Sequence, residues 1–208
     1  MAAQELTKTV LKDNANLKAY YRFESGALTT DSSGNSHTLT AISDPAEDTG
    51  VFGGGVALDT DDCYTIVDHA SLKPTGAFTI GAWINLNASG SNQLIFQTYS
   101  QNSNVAGIQF QVTAAGKLNT IIGKNTGTTL NTDYKDFTAN TTLSDSTTYF
   151  AVLTWDTSTI QIYLNGAFDG SVASAIAPAY AATNYVRVGA VNTSGTNLNF
   201  FNGMMDDL

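Results

Sequence analysis

The stretch from Tyr149 to Gly170, YFAVLTWDTSTIQIYLNGAFDG, leaves this chain little freedom in how it can fold. Phe150, Val152 and Thr154 alternate with Tyr149, Ala151, Leu153 and Trp155. After a polar break at Asp156 to Thr159, Ile160, Ile162 and Leu164 alternate with Gln161, Tyr163 and Asn165. A period of two places one set of side chains on each face of a sheet. Asn165-Gly166 is a strong hairpin signal, because a type I′ turn needs positive φ at both central residues. A third run, Ala167 to Ala173, is then set to return across the second.

The same pattern recurs along the chain. Phe78, Ile80, Ala82, Ile84 and Leu86 alternate with Thr79, Gly81, Trp83 and Asn85, which makes the longest clean strand. Leu17 to Glu24 reads as a half-buried strand, followed by a polar loop over Thr30 to His37. Further short runs are Thr38 to Ile42, Gly54 to Leu58, Cys63 to Val67, Gln93 to Tyr99, Gly107 to Thr113 and Lys117 to Gly123. Two more are Asn184 to Val191 and Leu198 to Met204. Lys124 to Ser146 has no clear period and is read as a long loop or an irregular edge strand. Many short strands separated by turns imply an all-β sandwich or barrel. Residues 1–16, with Leu6, Val10 and Leu11 at a weak helical spacing, form a lead-in or short helix, and 17–208 form one domain.

Composition narrows the partners. The formal net charge is −9, and the nine lysines and arginines are scattered singly. Nothing forms the basic patch that nucleic acid or an anionic membrane needs. The single cysteine, Cys63, excludes an internal disulfide and reads as a buried structural thiol. The N-terminus shows no apolar signal region, and no run approaches the ~20 residues of a membrane helix. The sequons at Asn87, Asn140 and Asn192 are then read as chance matches in an Asn- and Thr-rich chain.

Taken in order, LKAYYRFE, DSSGNSHTLT, FGGGVALD, DDCYTIVDHASL, FTIGAWINL, YFAVLTWD, IQIYLNGAFDG, YVRVGAV and FFNGMMDDL resemble the concanavalin A-like lectin/glucanase superfamily, and within it the laminin-G-like domains. The resemblance runs from Leu17 to the end and implies a two-sheet antiparallel jelly-roll sandwich. Relatives of this kind usually continue with a strand of pattern Arg-hydrophobic-Tyr. None follows Leu208, so the sheet edge near the termini is expected to be open, cut off or completed otherwise.

The loop Asp31 to His37 offers oxygen-bearing side chains at alternate positions, Asp31, Ser33 and Asn35. Gly34 permits a sharp turn, and the His37 carbonyl can point inward. Calcium takes six to eight oxygens from such loops. An Asx-type turn uses the same residues without an ion, and both readings stand. The resemblance implies that an acidic pair near the C-terminus, here Asp206 and Asp207, completes a structural Ca²⁺ site. His37 and His69 are too few and too separated for a histidine zinc site. Asp59, Asp61 and Asp62 read as a solvated turn rather than a second metal site.

Trp83 and Trp155 sit in strand motifs and are both expected to pack into the core. The better sugar-contact candidates are Gln97, Tyr99, Asn102 and Asn104, with Asn125 and Tyr134 behind them. A solvated polar face is the alternative.

Glucanases of this fold class place carboxylates at alternate positions of one strand, about 5 Å apart. The three glutamates here, Glu5, Glu24 and Glu47, lie outside the middle strands, and no strand interior carries Asp or Glu at i and i+2. The reading is therefore a non-catalytic module for neutral glycans, since the acidic chain disfavours anionic sugars. The resemblance also leaves open a structural subunit of a phage virion, surface layer or filament that assembles with itself or other surface proteins. Either role is extracellular or on a virion surface.

Overall fold

The computed structural model describes residues 15–98, 100, 101, 104–181, 186–193 and 196–208. The lead-in over 1–14 lies outside them. Among the described residues the backbone forms seventeen strands, one 3-10 turn at Ala70–Leu72 and no α-helix. The strands are numbered here in chain order.

One sheet contains β1 (Leu39–Ile42), β4 (Cys63–Ile66), β14 (Val186–Val188), β6 (Gln93–Gln97), β8 (Val105–Val112), β9 (Lys117–Lys124) and β10 (Tyr134–Thr142), in that spatial order. The short β7 (Ser100–Gln101) also pairs with β8. The other sheet runs β13 (Ala167–Ala173), β12 (Thr159–Leu164), β11 (Thr148–Trp155), β5 (Phe78–Leu86), β17 (Gly203–Asp206), β3 (Gly54–Leu58) and β2 (Ala46–Thr49). A small hairpin, β15 (Val191–Thr193) with β16 (Thr196–Leu198), stands apart from both. The two large antiparallel sheets form a jelly-roll sandwich, as the alternation requires.

The region from Tyr149 to Gly170 shows how the alternation works. Asn165 and Gly166 have φ of 51° and 80°, the left-handed pair that a type I′ turn demands. The turn is pinned back to β11, where Phe150 N donates to Asn165 Oδ1 at 2.8 Å. In the preceding break, Asp156 Oδ1 accepts from Ser158 N at 2.9 Å and Thr159 N at 2.7 Å. With both turns fixed, Leu153 stands between Ile80 and Ile162, and Trp155 between Phe78 and Ile160. Leu153, Ile160 and Ile162 are fully buried. Each contributes roughly 1.5–3 kcal/mol through removal of apolar surface from water. Across the sandwich they join a core that includes Tyr64, Phe110, Val188 and Phe201.

Strands β3 and β5 keep the expected bounds. Other segments differ. β2, AEDT, is an exposed edge strand with no apolar alternation to betray it. Lys124 to Ser146 contains the nine-residue edge strand β10, with a register shift between Thr138 and Thr142. Leu17 to Glu24 is not a regular strand, because Phe23 turns left-handed at φ 48°. Its inward set keeps Tyr21 and Phe23 buried, but Tyr20 beside them is buried too. Tyr21 exchanges both main-chain hydrogen bonds with Leu208, at 2.7 and 3.0 Å, so the end of the chain closes against its first described residues. The expected run Leu198 to Met204 is split between β16 and β17, with a left-handed Asn199 between them.

Candidate functional site

The Asp31 loop is held by its own backbone. Asp31 Oδ1 accepts from Tyr20 N at 3.0 Å and Ser33 N at 2.9 Å, and Oδ2 accepts from His37 N at 2.9 Å. Burial alone raises this carboxyl, but hydrogen bonds from Ser33, His37 and Tyr20 outweigh it and hold it below its ordinary value. Asn35 Nδ2 donates to Leu17 O, Lys18 O and Ser33 Oγ at 2.9, 3.0 and 3.2 Å. The His37 carbonyl does point inward, where it accepts from Tyr21 Oη at 2.6 Å.

The two C-terminal aspartates do not act as a pair. Asp206 Oδ2 accepts from Val51 N at 2.7 Å and Phe52 N at 3.2 Å, whereas Asp207 Oδ1 accepts from Tyr20 Oη at 2.7 Å. Successive residues leaving a strand point to opposite sides, and the left-handed Asp207 (φ 48°) completes the divergence. Of the six residues expected to converge, Asp31, Ser33, Asn35 and His37 share one loop, Asp207 reaches it only through Tyr20, and Asp206 serves another turn.

The two histidines are nearer to each other than their spacing in the sequence suggests. They are 32 positions apart yet adjacent in space, with ring centroids 4.7 Å apart. Ser71 Oγ lies 2.7 Å from His37 Nε2 and 2.8 Å from His69 Nδ1. Burial and the neighbouring His69 hold the His37 imidazole below its ordinary value. Asp59, Asp61 and Asp62 bring ligating atoms within 4.8 Å of one another, the one such group of three among the described residues. The turn uses them itself: buried Asp62 accepts from Asp44 N at 2.9 Å and Asp59 N at 3.3 Å.

The outward face of the β1–β10 sheet carries the expected sugar-contact residues unevenly. Tyr99 and Asn102 lie outside the described residues. Asn104 Nδ2 donates to Asn125 O at 3.1 Å, at the end of the sheet where β10 begins with Tyr134 opposite Gly123. Gln97 stands further in, between Gln109 and Arg187, and is fully buried. Sequence reasoning missed the rest of its row. Gln109 Nε2 donates to Gln111 Oε1 at 2.6 Å, and Gln111 Nε2 to Asn119 Oδ1 at 2.9 Å. Asn119 Nδ2 in turn donates to Asp136 Oδ1 at 2.7 Å and Thr138 Oγ1 at 2.9 Å. Gln109, Gln111 and Asn119 are each at most 5% exposed. The hairpin β15–β16 closes over one end: Gln97 Nε2 donates to Asn192 O at 3.3 Å, and Asn197 Nδ2 lies 3.5 Å from Cys63 Sγ. The polar half of GIQFQV was the available signal for this row.

The outward face of the other sheet is different. The two tryptophans part company there. Trp155 is 2% exposed in the core, with its indole N–H donating to Ser174 O at 2.9 Å. Trp83 is only half-buried and faces outward, because Ala82, Ile84 and Leu86 take the inward positions of β5. Its ring lies 5.0 Å from Phe150 and meets Phe52 edge-on at 5.8 Å. The expectation that Trp83 packs into the core is overturned by strand parity. Beside it runs a groove of about 660 Å³, lined by Trp83, Asn85, Asn87, Thr148, Asp48 and Met204 among others. Asn85 Nδ2 donates to Thr148 Oγ1 at 3.0 Å, and Asn87 Nδ2 to Asn202 Oδ1 at 2.9 Å. Asp206 anchors the Gly50–Phe52 wall from behind, where a Cβ on Gly50 would collide with its carboxylate. Burial raises that carboxyl despite the two main-chain donors.

A laminin-G family model, described as the concanavalin A-like lectin/glucanases superfamily, matches residues 58–208. No curated protein sequence matches the chain. Among solved structures, domain 4 of AbnA, a GH43 extracellular arabinanase from Geobacillus stearothermophilus in complex with arabinotriose, is similar. It has a TM-score of 0.69 at 16% identity, over 91% of this chain and 89% of that one. The binding domain of Paraclostridial Mosquitocidal Protein 1 has a TM-score of 0.72 at 16% identity, over 95% of this chain and 48% of that one. The chain thus spans about half of that toxin domain. The Ruminococcus gnavus IT-sialidase CBM40 bound to α2,3 sialyllactose has a TM-score of 0.61 at 14% identity, over 74% of this chain and 88% of that one. At these identities the likeness is one of fold.

Proposed function

The chain belongs to the concanavalin A-like lectin/glucanase superfamily, and from that premise we propose that it is a non-catalytic module that binds neutral glycans. The observation that carries the reading is the outward face of the β13–β2 sheet, where a half-buried tryptophan stands beside the amides and hydroxyls of an open groove. Sugars are held by such groups, hydroxyls on the amides and the apolar ring face on an aromatic. Similar structures, an arabinanase domain in complex with arabinotriose and a CBM40 bound to sialyllactose, support a glycan as ligand. The net charge of −9 favours a neutral one. No described strand carries two carboxylates at i and i+2, which supports a role without catalysis. Its place of action is extracellular or on a virion surface.

A glycan array with neutral and anionic arms tests this. Saturable binding to neutral glycans is the expected result, and a blank neutral arm contradicts it. The competing reading, a subunit of a virion, surface layer or filament, draws on the exposed apolar side chains Val67, Phe168 and Leu198, at 80, 59 and 49% exposure. It predicts self-assembly by light scattering without glycan binding.

A structural calcium ion is a second proposal, for the Asp31 loop alone. Three oxygens, of Leu17, Lys18 and Ser33, lie within 3.2 Å of the Asn35 amide nitrogen. Asp31, Ser33 and Asn35 would hold the ion with the main-chain oxygens of Leu17 and Lys18, and it would tie the first described residues to the loop. Melting in Ca²⁺ is expected several degrees above melting in EDTA, and identical melts contradict the ion.

A further inference from the structure

We propose that the glycan lies on the outward face of the β13–β2 sheet, in the groove beside Trp83, with one sugar ring against the indole. This rests on the glycan-binding reading and assigns it a place. Two faces compete, and their hydrogen bonds separate them. On the β1–β10 sheet the amides of Gln109, Gln111 and Asn119 bond to one another and are at most 5% exposed. A sugar there must first break a buried chain of bonds, which is costly when polar groups are left unpaired.

The Trp83 groove is open. Its volume of about 660 Å³ falls within the range of small-ligand sites, about 300–1,000 Å³. Trp83 is held in place before any ligand arrives, by Phe150 on one side and the edge of Phe52 on the other. Phe52 is itself fixed through its N–H to buried Asp206. A pre-set aromatic platform loses little freedom on binding. Around it stand groups that pair with sugar hydroxyls: Asn85 and Thr148, joined at 3.0 Å, Asn87, and the exposed carboxylate of Asp48 at the rim. With Asp48 at the mouth, Asp206 behind the wall and no basic residue in the lining, the groove takes an uncharged saccharide.

The test is calorimetry of the whole protein against neutral arabino-, xylo-, manno- and galacto-oligosaccharides, with sialyllactose as the anionic comparison. At least one neutral member is expected to bind. Trp83→Ala is expected to weaken it at least tenfold, and Asn85→Ala by a smaller factor, with melting curves confirming that each variant is folded. If Trp83→Ala does not fold, Asn85→Ala and Asn87→Ala carry the same test. Undiminished binding in folded variants, or loss only on Asn119→Ala, overturns the groove while leaving glycan binding intact. Binding to no neutral member overturns both.

Discussion

The two outward sheet faces obey the same alternation and end in opposite states. On the β1–β10 sheet the outward amides find one another, and hairpin β15–β16 covers the end near Gln97 and Cys63. On the β13–β2 sheet a tryptophan and a phenylalanine stand beside short polar side chains and Met204, and a groove stays open between them. Pointing outward is thus not the same as being available to a ligand. A long amide on a neighbouring strand can reach its neighbour and close a surface. Rings and short polar side chains do not link into such a chain of amides, and the face that carries them remains open.

The tryptophans give the largest expected contrast. Trp155→Ala empties a core position and is expected to cost about 3–5 kcal/mol, the usual range for such truncations. At ~2–4 °C per kcal/mol for a chain of this size, melting falls by roughly 6–20 °C. Trp83→Ala is expected to lower melting far less while it weakens sugar binding at least tenfold. Equal losses of stability in the two variants contradict the difference between the faces.

Next in size is the amide chain. Asn119→Ala strands the Gln111 amide and the Asp136 carboxylate, and is expected to cost about 1–3 kcal/mol, the range for leaving buried polar groups unpaired. Asn87→Ala, whose side chain is exposed, is expected to stay within about 0.5 kcal/mol. Denaturant melts of both variants check this pair, and a larger cost for Asn87 reverses the assignment.

A smaller effect comes from Asp207, on the Tyr20 side of the boundary that Asp206 and Asp207 straddle. Burial pushes its carboxyl up to about 6; the Tyr20 hydroxyl opposes and the Asp206 charge adds. With the folded value above the unfolded one, the charged form is the unfavourable one. Its cost is full above about pH 6 and fades as pH falls through 6 toward the ordinary 3.8. Asp207→Asn keeps an acceptor for Tyr20 and is expected to raise melting by a few degrees at pH 8 and by nothing at pH 3.5. A gain that persists at pH 3.5 points to another cause.

The smallest effect is chemical. Cys63 lies under Asn197, and burial pushes its thiol up to about 11. It is expected to resist alkylation at pH 8 until the protein is denatured. Rapid native labelling shows that hairpin β15–β16 does not cover that end of the sheet.

The sandwich was legible in the sequence because parity is a local property: Leu153, Ile160 and Ile162 are inward in the chain's pattern and in space. The groove was not, although the same parity held its answer. Trp83 shares a face with Asn85, opposite Ala82 and Ile84, yet its residue type suggested the core. Gln97 was named and Gln109, Gln111 and Asn119 were not, because a side-chain chain across strands depends on register, which separate runs do not display. The His37–His69 contact and the divergence of Asp206 from Asp207 are likewise matters of turns and tertiary approach. A window of neighbouring residues carries neither.

The most direct test of the difference between the faces is acrylamide quenching of the two tryptophans, each isolated by replacing the other with Phe. Trp83 is expected to be quenched readily and to become protected when a neutral oligosaccharide is bound, while Trp155 stays protected throughout. Equal protection of both in the free protein, or a Trp83 whose quenching is unmoved by a sugar that calorimetry shows to be bound, contradicts the account.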